Sequence, residues 1–354
     1  MFVAWRDLRS AKGRFALMGT VVTLMTLLVV MLSGLTAGLG KQSTSAITGL
    51  NADHVVFSQN ASTGPSYSDS ALSASQSEQF AKVPGVRAAN PVGITSVKAD
   101  VPRKGQTAGL SAFGVTPASG LAPGAVAAGT VVLSETAADD LSARVGDQIV
   151  LSGHTAKVGA ISGDASFSHI PVVWTSLSDW QKLSPGAANA SVLALTTDST
   201  SALAAADQRL GTDTIAKSAS LAAIGSYTSE NGSLQMMRGL LFAISALVIG
   251  AFFTVWTIQR SRDIAILKAL GATTKYLLRD ALGQAVVLLL GGTVIGTVLA
   301  AAAGLLASGT VPFVLSATTV LIPAAVMIIL GAAGAALSVR RITAVDPLTA
   351  LSGH

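Results

Sequence analysis

Three long blocks of this sequence carry no charged residue, and they decide what the chain can fold into. From Phe15 to Gly40 the run FALMGTVVTLMTLLVVMLSGLTAGLG is uncharged. A second block, Gly239 to Gln259, lies between Arg238 and Arg260. The third begins after Asp280 and meets no charge until Arg340. A helix rises about 1.5 Å per residue, so about 20 apolar residues cross a hydrocarbon core of ~30 Å. The third block is too long for one span. It breaks at Ser308-Gly309-Thr310-Val311-Pro312, where Gly and Pro mark a turn. The pattern predicts spans over 15–40, 236–259, 281–306 and 313–338, the last kinked at Pro323. The basic residues Arg6, Arg9, Lys12 and Arg14 precede the first block as they would in a secretion signal. Its apolar core is about twice a signal's length, however, and Thr36–Gly40 is a poor cleavage site, so it reads as a retained anchor.

The few charges set the orientation. Only 12% of the 354 residues are charged, against roughly 25% in a typical soluble domain. The segments 1–14, 260–280 and 339–354 together hold 11 basic and 4 acidic residues, net +7, and the remainder, within 41–238, is net −2. Positive-inside bias places both termini and the 260–280 segment in the cytoplasm of a multi-pass protein of the cell membrane. Trp5 and Trp256 are then expected at the inner interface. The net +5 of the chain is therefore a topology signal, and nucleic acid is not among the expected partners. The chain has no Cys, which removes disulfides, thiolate metal sites and a Cys nucleophile.

Between the first and second spans, 41–235 reads as a large α+β extracytoplasmic domain. His54-Val55-Val56-Phe57, Thr130-Val131-Val132-Leu133 and Gln148-Ile149-Val150-Leu151 have strand character between Gly/Pro turns. Ser73–Lys82, Ser134–Ala143 and Ser201–Leu210 read as short helices with Ser at or near the N-cap. The Ser- and Gly-rich stretch Ser58–Ser75 reads as a mobile loop. The fold class is thus an α-helical membrane protein with four transmembrane helices and a large α+β domain inserted after the first.

A search for chemistry finds no catalytic residue. There is no phosphate-binding GxxxxGK[ST], no HExxH and no GxSxG. His54, His154 and His169 are scattered without metal-ligand spacing and read as surface residues of the outer domain, as does the pair Asp139-Asp140. The spans hold no ionisable group for a proton relay. The chain is expected to be neither an enzyme nor a metalloprotein, with no cofactor of its own, so its energy must come from a partner.

The most informative stretch continues the second span into the cytoplasm. In Arg262-Asp263-Ile264-Ala265-Ile266-Leu267-Lys268-Ala269-Leu270-Gly271-Ala272, three apolar residues recur near helical spacing beside basic ones, and Gly271 is placed to end the helix. By itself this fits either an amphipathic turn on lipid headgroups or an element that docks on another protein. A second short helix is expected through Tyr276-Leu277-Leu278-Arg279. The stretch resembles the (R/E)-E-I-(A/G)-(I/L)-L-(R/K)-A-L-G-A signature of MacB/FtsX-type (type VII) ABC-transporter permeases, with Asp263 where Glu is commoner. Arg341 through Pro347-Leu348-Thr349-Ala350-Leu351 resembles that family's C-terminal ending. Val83-Pro84-Gly85-Val86, and Val132-Leu133-Ser134-Glu135 through Val145-Gly146-Asp147, resemble segments of its outer domain.

The resemblance implies a homodimeric permease bound to two copies of a cytoplasmic ABC ATPase, which would bind the ATP. Arg262, Asp263, Ile264, Leu267, Lys268, Leu270 and Gly271 would form the coupling contact. Chain length and outer-domain size are most similar to the haem-exporter (HrtB-like) permeases, which implies haem as cargo, taken laterally from the membrane. Met31, Tyr227, Glu230, Met236 and Met237 would then be candidate ligands, since Met and Tyr both serve as axial ligands of haem iron. Phe242 could stack on a porphyrin. The alternatives are an FtsX-like mechanotransmitter that regulates a cell-wall hydrolase, or export of another amphipathic compound such as a macrolide, peptide or lipid. The pairs Gly34/Gly38 and Gly292/Gly296 fit a dimer face or packing within one chain equally well.

Overall fold

The computed structural model describes residues 12–59, 64–102, 104–186, 188–225, 227–259, 266, 273–307 and 311–343. They form two compact units: a membrane unit drawn from the two ends of the chain, up to Gly38 and from Gly232, and an outer unit, Leu39–Asn231. Each is described separately.

In the membrane unit four helices are long and apolar enough to cross a bilayer, over Phe15–Thr48, Tyr227–Gln259, Leu282–Ala307 and Ala317–Ser338. The first belongs to α1 (Lys12–Thr48), whose last turns extend into the outer unit. In the same way the helix numbered α6 below, Tyr227–Gln259, starts in the outer unit. The other two belong to helices Thr274–Ala307 and Ala317–Thr343. The first of these absorbs Tyr276–Arg279, so the separate short helix expected there is instead the start of the third long helix. Nothing in 274–281 interrupts its backbone hydrogen bonding. Pro323 lies inside the last helix.

The two small-residue pairs are filled from within the chain. The Phe313 ring occupies the space where side chains at Gly34 and Gly304 would stand, and the Pro312 carbonyl closes on Gly38. The Val314 amide donates to the Gly34 carbonyl at 3.1 Å. Gly292 and Gly296 receive Val22, Thr23 and Thr26 of α1, and Thr23 Oγ1 donates to the Gly292 carbonyl at 3.2 Å. Small residues let two backbones approach closely, and here the partner is the same chain. Trp256 is buried edge-on between Phe15 and Phe253, near the end of its span. It fills the core beside Met18, Val22 and Leu288. Trp5 lies outside the described residues.

The outer unit is a mixed α+β domain. In chain order it comprises β1 (His54–Ser58), α2 (Ala74–Phe80), β2 (Val86–Val101), β3 (Gln106–Val115), β4 (Thr130–Leu133), α3 (Glu135–Asp140), β5 (Gln148–Leu151) and β6 (His154–Ile161). There follow β7 (Ser166–Phe167), β8 (Ile170–Ser176), α4 (Leu177–Leu183), β9 (Val192–Thr197), α5 (Leu203–Leu210), β10 (Thr212–Ala216) and the start of α6 (Tyr227–Gln259). We number the last two helices of the membrane unit α7 (Thr274–Ala307) and α8 (Ala317–Thr343).

The strands run in the order β10-β1-β9-β2-β3-β8-β4-β6-β5, with β7 paired to β8. The long strand β2 serves two lobes. Its first half pairs with β9, and its last residues pair with β5 through Ala99↔Leu151 and Asp100↔Val150, so β2-β3-β8-β4-β6-β5 closes on itself. One core lies within this ring and holds Leu110, Leu133, Leu141, Ile149 and Trp180. The Trp180 indole stands where side chains at Gly93 and Gly114, opposite one another on β2 and β3, would project. A second core holds Phe57, Phe113, Val192 and Ile224.

The sequence signals for these elements are partly local. Ser73 caps α2, with Gln76 completing a capping box, and Ser134 caps α3. The N-cap of α5 is instead Ala202, with no side-chain hydrogen bond. The described residues of Ser58–Ser75 from Gly64 on are turns and bends anchored at two points. Tyr67 is buried edge-on to Phe57 and Phe167, and its hydroxyl meets Ser220 Oγ at 2.8 Å. Leu72 is fully buried and exchanges backbone bonds with Ala190.

Candidate functional site

The site begins with the end of α1. Ala46, Ile47 and Leu50 are buried in the core of the outer unit, so the last turns of α1 are part of that domain. The helix presents Gln42, Ser43 and Ser45 to the β7–β8 hairpin. Carbonyls inside a helix keep a second lone pair, and two of them are used here. The Ser168 amide donates to the Ser43 carbonyl at 3.0 Å and the His169 amide to that of Gln42 at 3.2 Å. Ser45 Oγ accepts from the Ser166 amide at 2.8 Å and donates to its carbonyl at 3.2 Å. Lys41 Nζ reaches Asp164 at 3.5 Å.

The turn of this hairpin has Ser168 at φ +50° and His169 at φ +65°. A two-residue hairpin turn needs positive φ at both positions, which usually selects Asn-Gly. Neither residue here is Gly, so the turn carries a local strain, and the His169 side chain projects from it. It reaches the first turns of α6, where His169 Nε2 lies 2.7 Å from Glu230 Oε2. One turn earlier, Tyr227 packs against the core that contains Ile47 and Ile224. The hairpin therefore touches both helices that continue into the membrane unit.

Of the residues singled out by sequence, the structure brings Glu230 and Tyr227 onto adjacent turns of α6 in the outer unit. Met31, Met236, Met237 and Phe242 belong to the membrane unit. Met31 is half-buried, Met236 and Met237 are exposed on α6, and Phe242 packs against the membrane-unit core. Arg262, Asp263, Ile264, Leu267, Lys268, Leu270 and Gly271 lie outside the described residues. His169, read from sequence as a surface residue, is the group that was missed. No local signal marks it, because Glu230 is 61 positions away. The other two outer histidines keep peripheral places: His54 meets Thr197 Oγ1 at 3.2 Å and His154 is exposed. Asp139 and Asp140 are exposed on α3. Among the described residues, no group of three or more His, Asp or Glu is placed to hold a metal ion.

Among the described residues, three titrating groups of the outer unit are perturbed, one of them, Tyr67, packed against Phe167 of the hairpin. Burial pushes the Tyr67 phenol well above its ordinary value, opposed in part by Ser220. The Lys104 ammonium and the Arg144 amide hold the Asp147 carboxyl below the usual carboxylate range. Burial raises Asp179, but bonds from Lys182, the Gly129 amide and Ser176 more than offset it, leaving it lowered.

Comparisons with known proteins agree with this layout. The family model of the MacB-like periplasmic core domain matches residues 16–213, and that of the FtsX-like permease C-terminal region matches 236–347. A Staphylococcus haemolyticus protein provisionally named hemin transport system permease protein HrtB is 29% identical, over 100% of this chain and 99% of its own length. An uncharacterised ABC transporter permease of Mycobacterium tuberculosis is 25% identical over the same shares of the two chains. The crystal structure of the periplasmic region of MacB from Actinobacillus actinomycetemcomitans overlaps 49% of this chain and 92% of its own, at 12% identity and a TM-score of 0.39.

Proposed function

The chain belongs to the MacB/FtsX-type ABC-transporter permeases, and on that premise we propose that it is the membrane half of an ATP-driven exporter whose cargo is haem. It is a membrane protein and a permease, not a nucleotide-binding subunit, and its family works with an ATPase partner. The finer reading takes that partner as two copies beneath a homodimer of this chain. Both termini and the 260–280 segment face the ATPase, as the +7 charge of the inner segments against −2 outside favours. Arg262, Asp263, Ile264, Leu267, Lys268, Leu270 and Gly271 form the coupling contact.

The observation that carries the haem reading is the likeness to a hemin transport permease over the whole of both chains. The side chains add chemical support. Glu230, Tyr227 and His169 gather oxygen and imidazole donors at the outer start of α6. Met31, Met236, Met237 and Phe242 add thioether and aromatic groups on the helices themselves. Tyr, His and Met are all ligand types of haem iron.

The test is a haemin titration of the chain with its ATPase in a neutral detergent, following the Soret band and the rate of ATP hydrolysis. A shifted Soret band and an altered rate at micromolar haemin are expected, both weakened by Glu230→Ala. An unshifted band would sink the haem reading and leave export of another amphipathic compound.

A further inference from the structure

The outer unit holds a groove between α2 and α5, apart from the hairpin. Phe80, Val83, Leu203 and Ala206 bury these helices against Val56 of β1 and Leu193 and Leu195 of β9. The two helices are tied at both ends. Gln76 Nε2, in the first turn of α2, donates to the Leu210 carbonyl at the end of α5 at 2.9 Å. Past the other end of α2, the stretch Val83-Pro84-Gly85-Val86 meets the segment that leads into α5, where the Asp198 amide donates to the Gly85 carbonyl at 2.8 Å. Gly85 has φ +88°, and a Cβ there would lie 2.6 Å from the Ser199 carbonyl oxygen, so this closure selects glycine. Between the ties, α5 lines the space with Ala202, Ala205 and Ala206, whose methyl groups leave it unfilled. The groove has a volume of about 470 Å³, within the range of small-molecule sites.

The charge of its lining is one-sided. Lys82 and Arg209 are the charged residues there, both exposed, and among the described residues neither forms an ion pair. The neighbouring carboxylates are engaged elsewhere. Arg87 pairs with Asp198 at 3.3 Å, and the hydroxyls of Thr212 and Thr214 each donate to Asp207 at 2.7 Å. Glu78 is exposed on α2 but outside the lining. We infer that this groove binds an amphipathic carboxylate, its apolar body laid over the alanines and its anionic group held by Arg209 and Lys82. A guanidinium can bond both oxygens of a carboxylate at once, and an ammonium adds a compact charge. The two ties preform the groove, so binding does not have to order the helices. The inference concerns the outer unit alone and does not rest on haem as the cargo.

The test titrates 2-naphthoate calorimetrically into the full chain in phosphatidylcholine nanodiscs, with empty nanodiscs as the blank and uncharged 2-naphthalenemethanol as the neutral counterpart. Naphthoate should bind, and the alcohol about fivefold more weakly or worse. Lys82→Ala and Arg209→Ala should each weaken naphthoate about two- to fivefold, the range of exposed charge pairs, and the double variant further still. Ala205→Phe fills the groove without changing any charge and should abolish binding. Lys98→Ala with Lys157→Ala removes the same charge from exposed strand positions elsewhere in the outer unit and should change nothing. Thermal unfolding midpoints establish that each variant is folded, and Ala205→Leu takes the place of Ala205→Phe if the larger ring unfolds the domain. No binding to the parent chain, equal affinity for the alcohol, unaltered binding in the filled groove, or an equal loss in the Lys98/Lys157 variant would each overturn the inference. Haemin is absent throughout, so failure here is distinct from failure of the cargo reading.

Discussion

Replacing Gly296 by Ala tests whether the small residues of α7 serve the chain's own packing. A Cβ at 296 would lie 2.5 Å from the Thr23 carbonyl oxygen and 2.9 Å from Thr26 Cβ. The nearest atom is backbone, so no side-chain rotation relieves it, and α7 must move by about 1 Å from α1. Overpacking of this kind costs about 1–3 kcal/mol. The shift also threatens the Thr23 Oγ1 bond to the Gly292 carbonyl, for which about 0.6 kcal/mol is typical inside a membrane. Two neighbours calibrate the effect. Gly292→Ala meets Val22 Cγ1 at 2.8 Å and Val22 Cβ at 2.9 Å, a somewhat milder clash, and should cost about 1 kcal/mol, the low end of the same range. Gly291→Ala meets nothing within 4 Å. It should be neutral or stabilise by up to about 1 kcal/mol through helix propensity. Unfolding by SDS from neutral mixed micelles measures all three, and chemical cross-linking reports self-association in the same samples. The expected order of stability is 291, then 292, then 296. Equal stability of the three, with self-association lost only in Gly296→Ala, would refute packing within the chain and restore a dimer face.

Two further outcomes follow from charge and from the coupling stretch. Asp147 and Asp179 have folded pKa values below their unfolded ones, so their stabilisation is complete above the ordinary carboxylate range and is lost as pH falls through the folded values. The outer unit should therefore melt earlier on acidification below about pH 4, and Asp147→Asn with Asp179→Asn should flatten that dependence. An unaltered pH profile of the unfolding midpoint in the double variant would contradict this assignment. Replacing Leu267 and Leu270 by Asp should abolish co-purification of the ATPase, or its stimulated turnover, while the chain remains inserted. Normal complex formation and turnover would disprove the coupling role.

Much of the architecture could be read from local sequence because its cause is local. The outer strands over 54–58, 130–133 and 148–151 coincide with short β-branched runs, and Ser73 and Ser134 cap helices where they stand. The misreadings have a common origin in distance along the chain. Tyr67 and Leu72 sit in a polar stretch and look mobile until Phe57, Phe167 and Ala190 are brought to them. At the candidate site, Glu230 and Tyr227 could be named from their place before a span. His169 could not, since nothing near it in sequence distinguishes it from His154.

The sequence alone determined the four apolar helices and the large inserted domain. Leaving a charge in hydrocarbon is costly wherever it occurs, so an uncharged run declares itself without reference to any other part of the chain. It also supplied the family, through the motif at 262–272. The tertiary structure decided which surfaces those helices use: Phe313 and Pro312 close Gly34 and Gly38, Thr23 and Thr26 close Gly296, and a strained turn carries His169 to Glu230. A glycine or a histidine is silent about its neighbour, because close packing and hydrogen bonding depend on what the fold places a few ångströms away.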